Sequence, residues 1–329
     1  MDSFTPIIII IVLAWVYDFV NGMNDCANAI ATTVSTRALS PRQAVFLAFV
    51  FNVLGAFITT EVAKTIGKGI VDPSFMNFPI IVSSLIGAIV WAAFCTHYGI
   101  PISITHSLVG GLMGAGVAAE GIGVLQSAGV RKIFIAMIVS PFAGFAVGFL
   151  LLAAIFWLWR RARPDVASTF FRRFQVVSAA FMALSHGAND TQNAMGIITA
   201  ALLAGGIIQS FEVPVWVVLG SGLFMGLGTY VGGWKVIKTL GMKMVKLRSV
   251  HGFSAETASA LVIIGNTLVG APISTTHVIS SAIMGVGSTE KLSSVKWGLA
   301  GHIVLTWILT IPGAAMVAVI AYTLLGLTL

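Results

Sequence analysis

The nine residues NGMNDCANA at 21–29 return 165 positions later as HGANDTQNA at 186–194. Five of the nine are identical: Gly22/Gly187, Asn24/Asn189, Asp25/Asp190, Asn28/Asn193 and Ala29/Ala194. A second stretch, GIPISITHSLVGGLMGAG at 99–116, returns 171 positions later as GAPISTTHVISSAIMGVG at 270–287. Nine of its eighteen positions match, among them Pro101/Pro272, Ser103/Ser274, Thr105/Thr276 and His106/His277. The order is kept and the two offsets differ by six residues, so the chain reads as two homologous halves. WRRARPDVASTFFRR (159–173) lies between them and carries five of the 18 Lys and Arg. The organisation expected is a first repeat at 1–159, a basic cytoplasmic linker at 160–174 and a second repeat at 175–329.

The solvent of these repeats follows from composition. Of 329 residues, 57% are hydrophobic and only 9% are charged, against roughly 25% charged in soluble domains. That excludes a water-soluble globule, and the high apolar content excludes disorder. The remaining solvent is a bilayer, crossed by helices of about 20 apolar residues, so the chain length allows about ten to twelve segments. Eleven apolar segments are visible, at 6–20, 43–60, 79–96, 102–119, 132–158, 175–185, 196–208, 213–233, 255–269, 273–287 and 297–327. The fold class expected is therefore an all-α polytopic membrane protein. The net charge of +7 does not signal nucleic acid, because no basic run is interleaved with stacking aromatics. The basic residues cluster instead at 160–173 and 235–248, as in cytoplasmic loops. Cys26 and Cys95 sit inside apolar segments as core residues. Asp2 precedes the first apolar stretch and no basic n-region does, so that stretch reads as the first membrane element, not a cleaved signal.

Placing both basic clusters inside requires an even number of crossings between them, and 175–233 has room for two. The halves are then inverted and both termini are extracellular or periplasmic. Inverted repeats with interrupted helices are a design of secondary transporters, whose site lies at the repeat interface near the midplane. The NDxxNA blocks supply one such site. A carboxylate inside an apolar segment is expensive, and Asp25 and Asp190 occupy matching places. Asn24, Asp25 and Asn28, with Asn189, Asp190 and Asn193, bring a carboxylate and amide oxygens to one helix face, the ligand type hard cations such as sodium prefer. For a single Asn, ordinary interhelical hydrogen bonding explains as much; the duplicated charged block points to function. Asp18, absent from the second half where Ala183 stands, and Glu256, in GFSAETASA, are further buried acids suited to an additional cation or to gating.

The PISxTH blocks supply the second element. Pro101 and Pro272 end the preceding segment, and Ser103 and Ser274 follow where N-caps are expected. Segments 255–269 and 273–287, about 15 residues each, span roughly 22 Å, short of the roughly 30 Å hydrocarbon core. They read as a re-entrant hairpin. Two hairpin tips facing one another, each a helix N-terminus with hydroxyls, make a cradle for an oxyanion. His106 and His277 read as hydrogen-bonded core residues, ligands or proton carriers. His186 takes the place of Asn21 and so lies outside the symmetric pattern.

With these blocks in place, the chain resembles the inorganic phosphate transporter (PiT) family, bacterial or archaeal type. ATTVSTRALSPRQA (31–44), VAKTIGKGIVDP (62–73) and GGWKVIKTLG (232–241) add to the resemblance, which covers essentially the whole chain. It implies an inverted-repeat fold and symport of phosphate, with sodium in many members and protons in others. Carried over by position, it implies a cation and substrate centre at Asp25, Asn28, Asp190 and Asn193, and phosphate-holding tips at Ser103, Thr105, Ser274, Thr275 and Thr276. Ile104 stands where the second half has Thr275, so the tips are chemically unequal.

The reading is a phosphate importer of the cell membrane working by cation symport with alternating access, sodium being the expected ion. Asn24, Asp25, Asn189 and Asp190 are the expected sodium ligands; Asn28 and Asn193 join the hairpin hydroxyls at phosphate. No cofactor is expected, and a homo-oligomer is compatible with the sequence. Proton coupling and sulfate or another oxyanion are the alternatives within the class. An intramembrane enzyme built on His106 or His277, and a channel, are the alternatives outside it. Duplication of every role argues against an enzyme.

Overall fold

The computed structural model describes residues 4–327; Asp2 and the two chain ends, on which the expected sidedness of the termini bears, lie outside them. Among the described residues there are thirteen α-helices and no β-strand. The first half holds α1 (Thr5–Ser35), α2 (Pro41–Gly55), α3 (Glu61–Lys68), α4 (Phe78–Tyr98), α5 (Ile104–Glu120) and α6 (Ser127–Leu158). The second holds α7 (Pro164–Asp190), α8 (Gln192–Ala204), α9 (Val215–Val231), α10 (Trp234–Lys238), α11 (Ser249–Leu268), α12 (Thr275–Glu290) and α13 (Trp297–Gly326). Local chemistry sets many boundaries. Ser40 and Gln43 form a capping box with Pro41 at the first turn of α2. Asn77 caps α4, which ends at Gly99 in a left-handed conformation (φ 72°). Pro164 opens α7.

Helices of the two halves pair with one another. Helix α1 packs on α9 and α7 on α2; α12 packs on α6 and α5 on α13. Each half therefore lays its hairpin on its partner elements in the same order. Pro141 inside α6 and Pro312 inside α13 are 171 residues apart, the offset of the PISxTH blocks. Single β-bridges join Val71 to Leu125 and Val245 to Val295. A Cβ on Gly22 would strike the Met225 carbonyl, and one on Gly187 the Asn52 carbonyl. Both glycines let a motif helix touch its neighbour backbone to backbone. Helices α1 and α7 run in opposite directions. Thr36, just past the end of α1, donates to Gln175 in the first half of α7 (2.8 Å), whereas Asp25 meets His186 near the end of α7. Each of the two buried apolar clusters draws on both halves, so neither half has a core of its own.

Three sequence expectations change. Among the described residues, only α1, α4, α6 and α13 are long and apolar enough to cross a membrane alone, with α9 and the bent stretch 234–243 (63°) as a fifth. This is fewer than the ten to twelve segments counted from composition. The other helices are shorter or carry polar residues, yet Phe46 on α2, Val177 on α7, Leu223 on α9 and Leu261 on α11 also turn outward. Phe142 and Leu150 on α6 and Ile308 and Met316 on α13 are all more than half exposed, as lipid-facing side chains are. The break at 160–174 is mostly helix: α7 begins at Pro164. Segment 255–269 is part of the longer α11, whose polar first turns, SVHGFS, hide it from an apolar scan.

Candidate transport site

The site forms where the middle of α1, the junction of α7 and α8, and the tips of the α4–α5 and α11–α12 hairpins converge. Helix α7 ends at Asp190, and Thr191 interrupts the path into α8. Ser103 Oγ accepts from His106 N and Ser274 Oγ from His277 N, each at 3.1 Å. These N-caps end the extended PIS segments and turn the first N–H groups of α5 and α12 into the protein interior. Among Asp25, Asn28, Ser103, Thr105, Asp190, Asn193, Ser274, Thr275 and Thr276, none is more than 2% exposed. The centre is closed to solvent from both sides.

The second hairpin contacts both aspartates. Thr276 Oγ1 donates to Asp25 Oδ1 (3.0 Å) and Thr275 Oγ1 to Asp190 Oδ2 (3.0 Å). Asn28 Nδ2 reaches the same two hydroxyls at 3.2 and 3.0 Å. On the first hairpin, Asn193 Nδ2 donates to Thr105 Oγ1 (2.9 Å). Ile104 has no hydroxyl to match Thr275, so the first tip touches no aspartate in this way. The oxygens of Asn28 and Asn193 have no hydrogen-bond partner among the described residues, leaving two amide oxygens available beside the carboxylates.

The two remaining asparagines differ in what their oxygens do. Asn189 donates to Asp190 Oδ1 (2.7 Å) and to Ile273 O (3.1 Å), and its oxygen is held by Thr267 (3.1 Å). It fixes Asp190 and the hairpin tip. Asn24 donates to Thr96 of α4 (2.8 Å), while its oxygen stays unpaired.

His186 is the residue that sequence symmetry passed over. Its Nε2 lies 3.3 Å from Asp190 Oδ2 and 3.9 Å from Asp25 Oδ2. One ligand atom from each of Asp25, His186 and Asp190 falls within 4.8 Å of the others. Asn52 orients the ring. Its Nδ2 donates to Thr229 Oγ1 (3.0 Å), and its Oδ1 faces His186 Nδ1 at 3.0 Å. Nδ1 therefore carries the hydrogen, and Nε2 is turned to the carboxylates, a second-shell arrangement common to histidine ligands. The i,i+4 spacing of His186 and Asp190 was visible in HGAND; the tertiary approach of Asp25 was not. Two carboxylates this close, buried at low dielectric, require positive charge between them. Three ligands from α1 and α7 offer the place for it.

His106 and His277 lie behind the tips. Their rings are 4.9 Å apart, and all four ring nitrogens lack hydrogen-bond partners among the described residues. They are buried core residues, and His277 faces the Met137 backbone and stacks on Trp307 (4.0 Å). Glu256 lies elsewhere, between α1, α7 and α11. It accepts from Thr32 (2.5 Å), Thr33 (2.7 Å), Gln175 (3.0 Å) and Ser178. Asp18 is on α1 beside Ser221 of α9.

Residues 21–318 match the phosphate transporter family. The chain belongs to the phosphate transporter family. It is 44% identical to a chain of Bacillus subtilis (strain 168) over 323 residues, 97% of each, described as a probable low-affinity inorganic phosphate transporter. A chain of Rhizobium meliloti (strain 1021) with the same description is 42% identical over 322 residues, covering 97% of this chain and 96% of that one. A solved structure of "the sodium-dependent phosphate transporter" superposes with a TM-score of 0.89 at 28% identity, covering 99% of this chain and 100% of that chain. Membership of the phosphate transporter family makes this a phosphate carrier of the membrane and not an enzyme. Both NDxxNA blocks and both PISxTH blocks lie inside the matched region.

Proposed function

We propose that this protein imports inorganic phosphate across the cell membrane by symport with sodium, through alternating access between two inverted repeats. The single observation that carries the reading is the meeting of Asp25 and Asp190, one from each half, at hydroxyls of a hairpin tip. Sodium bound by these carboxylates cancels their charge. Phosphate then sits against the cation, the N–H groups opening α5 and α12, and the hydroxyls of Ser103, Thr105, Ser274, Thr275 and Thr276. Without the cation, the aspartates repel an anion strongly at low dielectric. This linkage couples the two fluxes. The sodium dependence named for the structural neighbour supports the ion, and the opposed directions of α1 and α7 support the inversion. Glu256 ties Thr32 and Thr33 of α1 to Gln175 and Ser178 of α7, which suits an additional cation or gating group. A cavity of about 360 Å³ beside Met23, Thr96 and Lys235 reaches Thr96, the partner of Asn24, and offers a route towards the centre on the side of the basic 235–248 loop.

His186 favours a second reading, in which a proton on Nε2 takes the place of a sodium ion between the aspartates. Uptake into proteoliposomes with the sodium and proton gradients varied separately distinguishes the two. For symport with sodium, an inward sodium gradient alone drives uphill phosphate accumulation, and Asp25→Asn or Asp190→Asn abolishes it. Unchanged sodium-driven uptake in either variant would sink the scheme.

A further inference from the structure

The interface of α1 with α9 contains a polar cluster that the centre at Asp25 does not use. Asp18 is fully buried, and neither of its carboxylate oxygens has a hydrogen-bond partner among the described residues. Asn21, one turn further along the same helix face, is also fully buried with both amide atoms unpartnered. Ser221 of α9, equally buried, turns its hydroxyl to Asp18. Trp15 against Gly220 and Gly22 against Met225 fix the two helices around this point. No Lys or Arg forms an ion pair with Asp18 among the described residues.

The repeat shows that the fold does not require a carboxylate here. Asp18 corresponds to Ala183 at the offset of the NDxxNA blocks. The glycine contacts pair Gly228 with Phe19 and Met23, and Gly55 with Leu184 and Ala188. By that correspondence Ser221 matches Ala48. Ala183 and Ala48 are both fully buried, so the equivalent contact of α7 with α2 is dry and apolar. Asn21 matches His186, which is pinned by Asn52; Asn21 has no such partner.

We propose that Asp18, Asn21 and Ser221 form a further binding site for a monovalent hard cation, sodium, between α1 and α9. The three groups lie within one helix–helix contact, Ser221 turning its hydroxyl to Asp18 while Asn21 keeps both amide atoms unpartnered, so an ion between them would satisfy all three oxygens at once. A proton on Asp18 supplies a single donor, which satisfies the oxygen of Asn21 or of Ser221 but not both. The donor set is all oxygen, as hard cations prefer, and its single negative charge matches one positive charge. Asp18 and Asp25 are seven residues apart on α1, roughly 10 Å along the axis. This ion is thus separate from one bound at Asp25, and Asp25→Asn leaves its ligands intact.

Equilibrium binding of radioactive sodium to the purified full chain in detergent, without phosphate and with choline chloride holding ionic strength constant, tests the site. Asp18→Asn is expected to bind one sodium ion fewer per chain than the unmodified protein. Ser221→Ala is expected to bind the full number, with one ion weakened several-fold and regained at high sodium. Asp18→Asn with Asp25→Asn is expected to lose more than either alone. Unchanged stoichiometry in a folded, monodisperse Asp18→Asn protein overturns the proposal and assigns Asp18 a proton or water instead. If Asp18→Asn does not fold, unchanged half-saturation for every sodium ion in Ser221→Ala overturns it equally.

Discussion

At His186 the two ring nitrogens face different worlds: Nδ1 meets Asn52 and Nε2 meets Asp25 and Asp190. The ring holds the carboxylates of the two halves in one frame, and Asn52 holds the ring. His186→Ala removes the group that spans both aspartates and leaves Asn52 without its partner. Leaving the buried Asn52 oxygen unpaired costs roughly 1–3 kcal/mol, so phosphate uptake should fall by about tenfold. Asn52→Ala frees the ring without deleting it and should lower uptake less. Initial rates in proteoliposomes, normalised to folded protein, measure both. Equal uptake in His186→Ala and the unmodified protein would remove His186 from the site. At the same scale, one of the two Asn residues before the aspartates has its oxygen already occupied. Asn189 turns its nitrogen to Asp190 and gives its oxygen to Thr267, so a motif residue of ligand chemistry serves to aim another.

Among the elements, the contact of α2 with α7 sets the position of that ring. Gly187 follows His186 directly, and a Cβ there would meet the Asn52 backbone carbonyl. Backbone cannot swing aside as a long side chain can. Gly187→Ala should therefore push α2 away, cost about 1–3 kcal/mol of stability by overpacking, and reduce uptake together with stability. Gly265 on α11 has nothing within 4 Å of a built Cβ. Gly265→Ala should keep or raise the thermal midpoint, since alanine is favoured over glycine in a helix interior by roughly 1 kcal/mol. Thermal unfolding in detergent, read by intrinsic fluorescence, compares the pair; a Gly187→Ala protein as stable as Gly265→Ala would contradict the backbone contact. The hairpins show the opposite case, an element legible in advance. Proline followed by serine two residues on forecast an N-cap at 103 and at 274, and the structure has both. The lengths were less legible: α4 is long enough to cross alone and α11 begins six residues before its apolar stretch, because the first turns of α11 bury His251, Gly252 and Ser254 inside the protein.

For the whole molecule, sidedness is the property that an inverted design must satisfy. The loop before α9 lies at the end of the molecule where α1 begins, since Gly205 meets Ile7. The α6–α7 turn lies at the opposite end, where Thr36 meets Gln175. Single cysteines at Ser210→Cys and Ala162→Cys should then label from opposite sides. With the arginine-rich turn inside, a membrane-impermeant maleimide added to intact cells should modify Ser210→Cys and spare Ala162→Cys until the membrane is opened. The native Cys26 and Cys95 are buried and give a low background. Labelling of both from the same side would exclude opposed ends.

The sequence alone determined the solvent, the duplication and the motifs. Scarce charge excludes water, two blocks in register reveal two halves, and carboxylates in apolar segments are too expensive to be incidental. These are properties of composition and of short spacings, which survive without coordinates. Only the tertiary structure decided which groups share a site. His186 was set aside because its own repeat position holds Asn21, yet the fold brings it between Asp25 and Asp190. Glu256 and Asp18 looked alike as buried acids, yet one has four donors and the other none. Those distinctions arise where α1, α7, α9 and α11 pack together, between residues 78 to 224 positions apart, and spacing along the chain carries no information about such contacts.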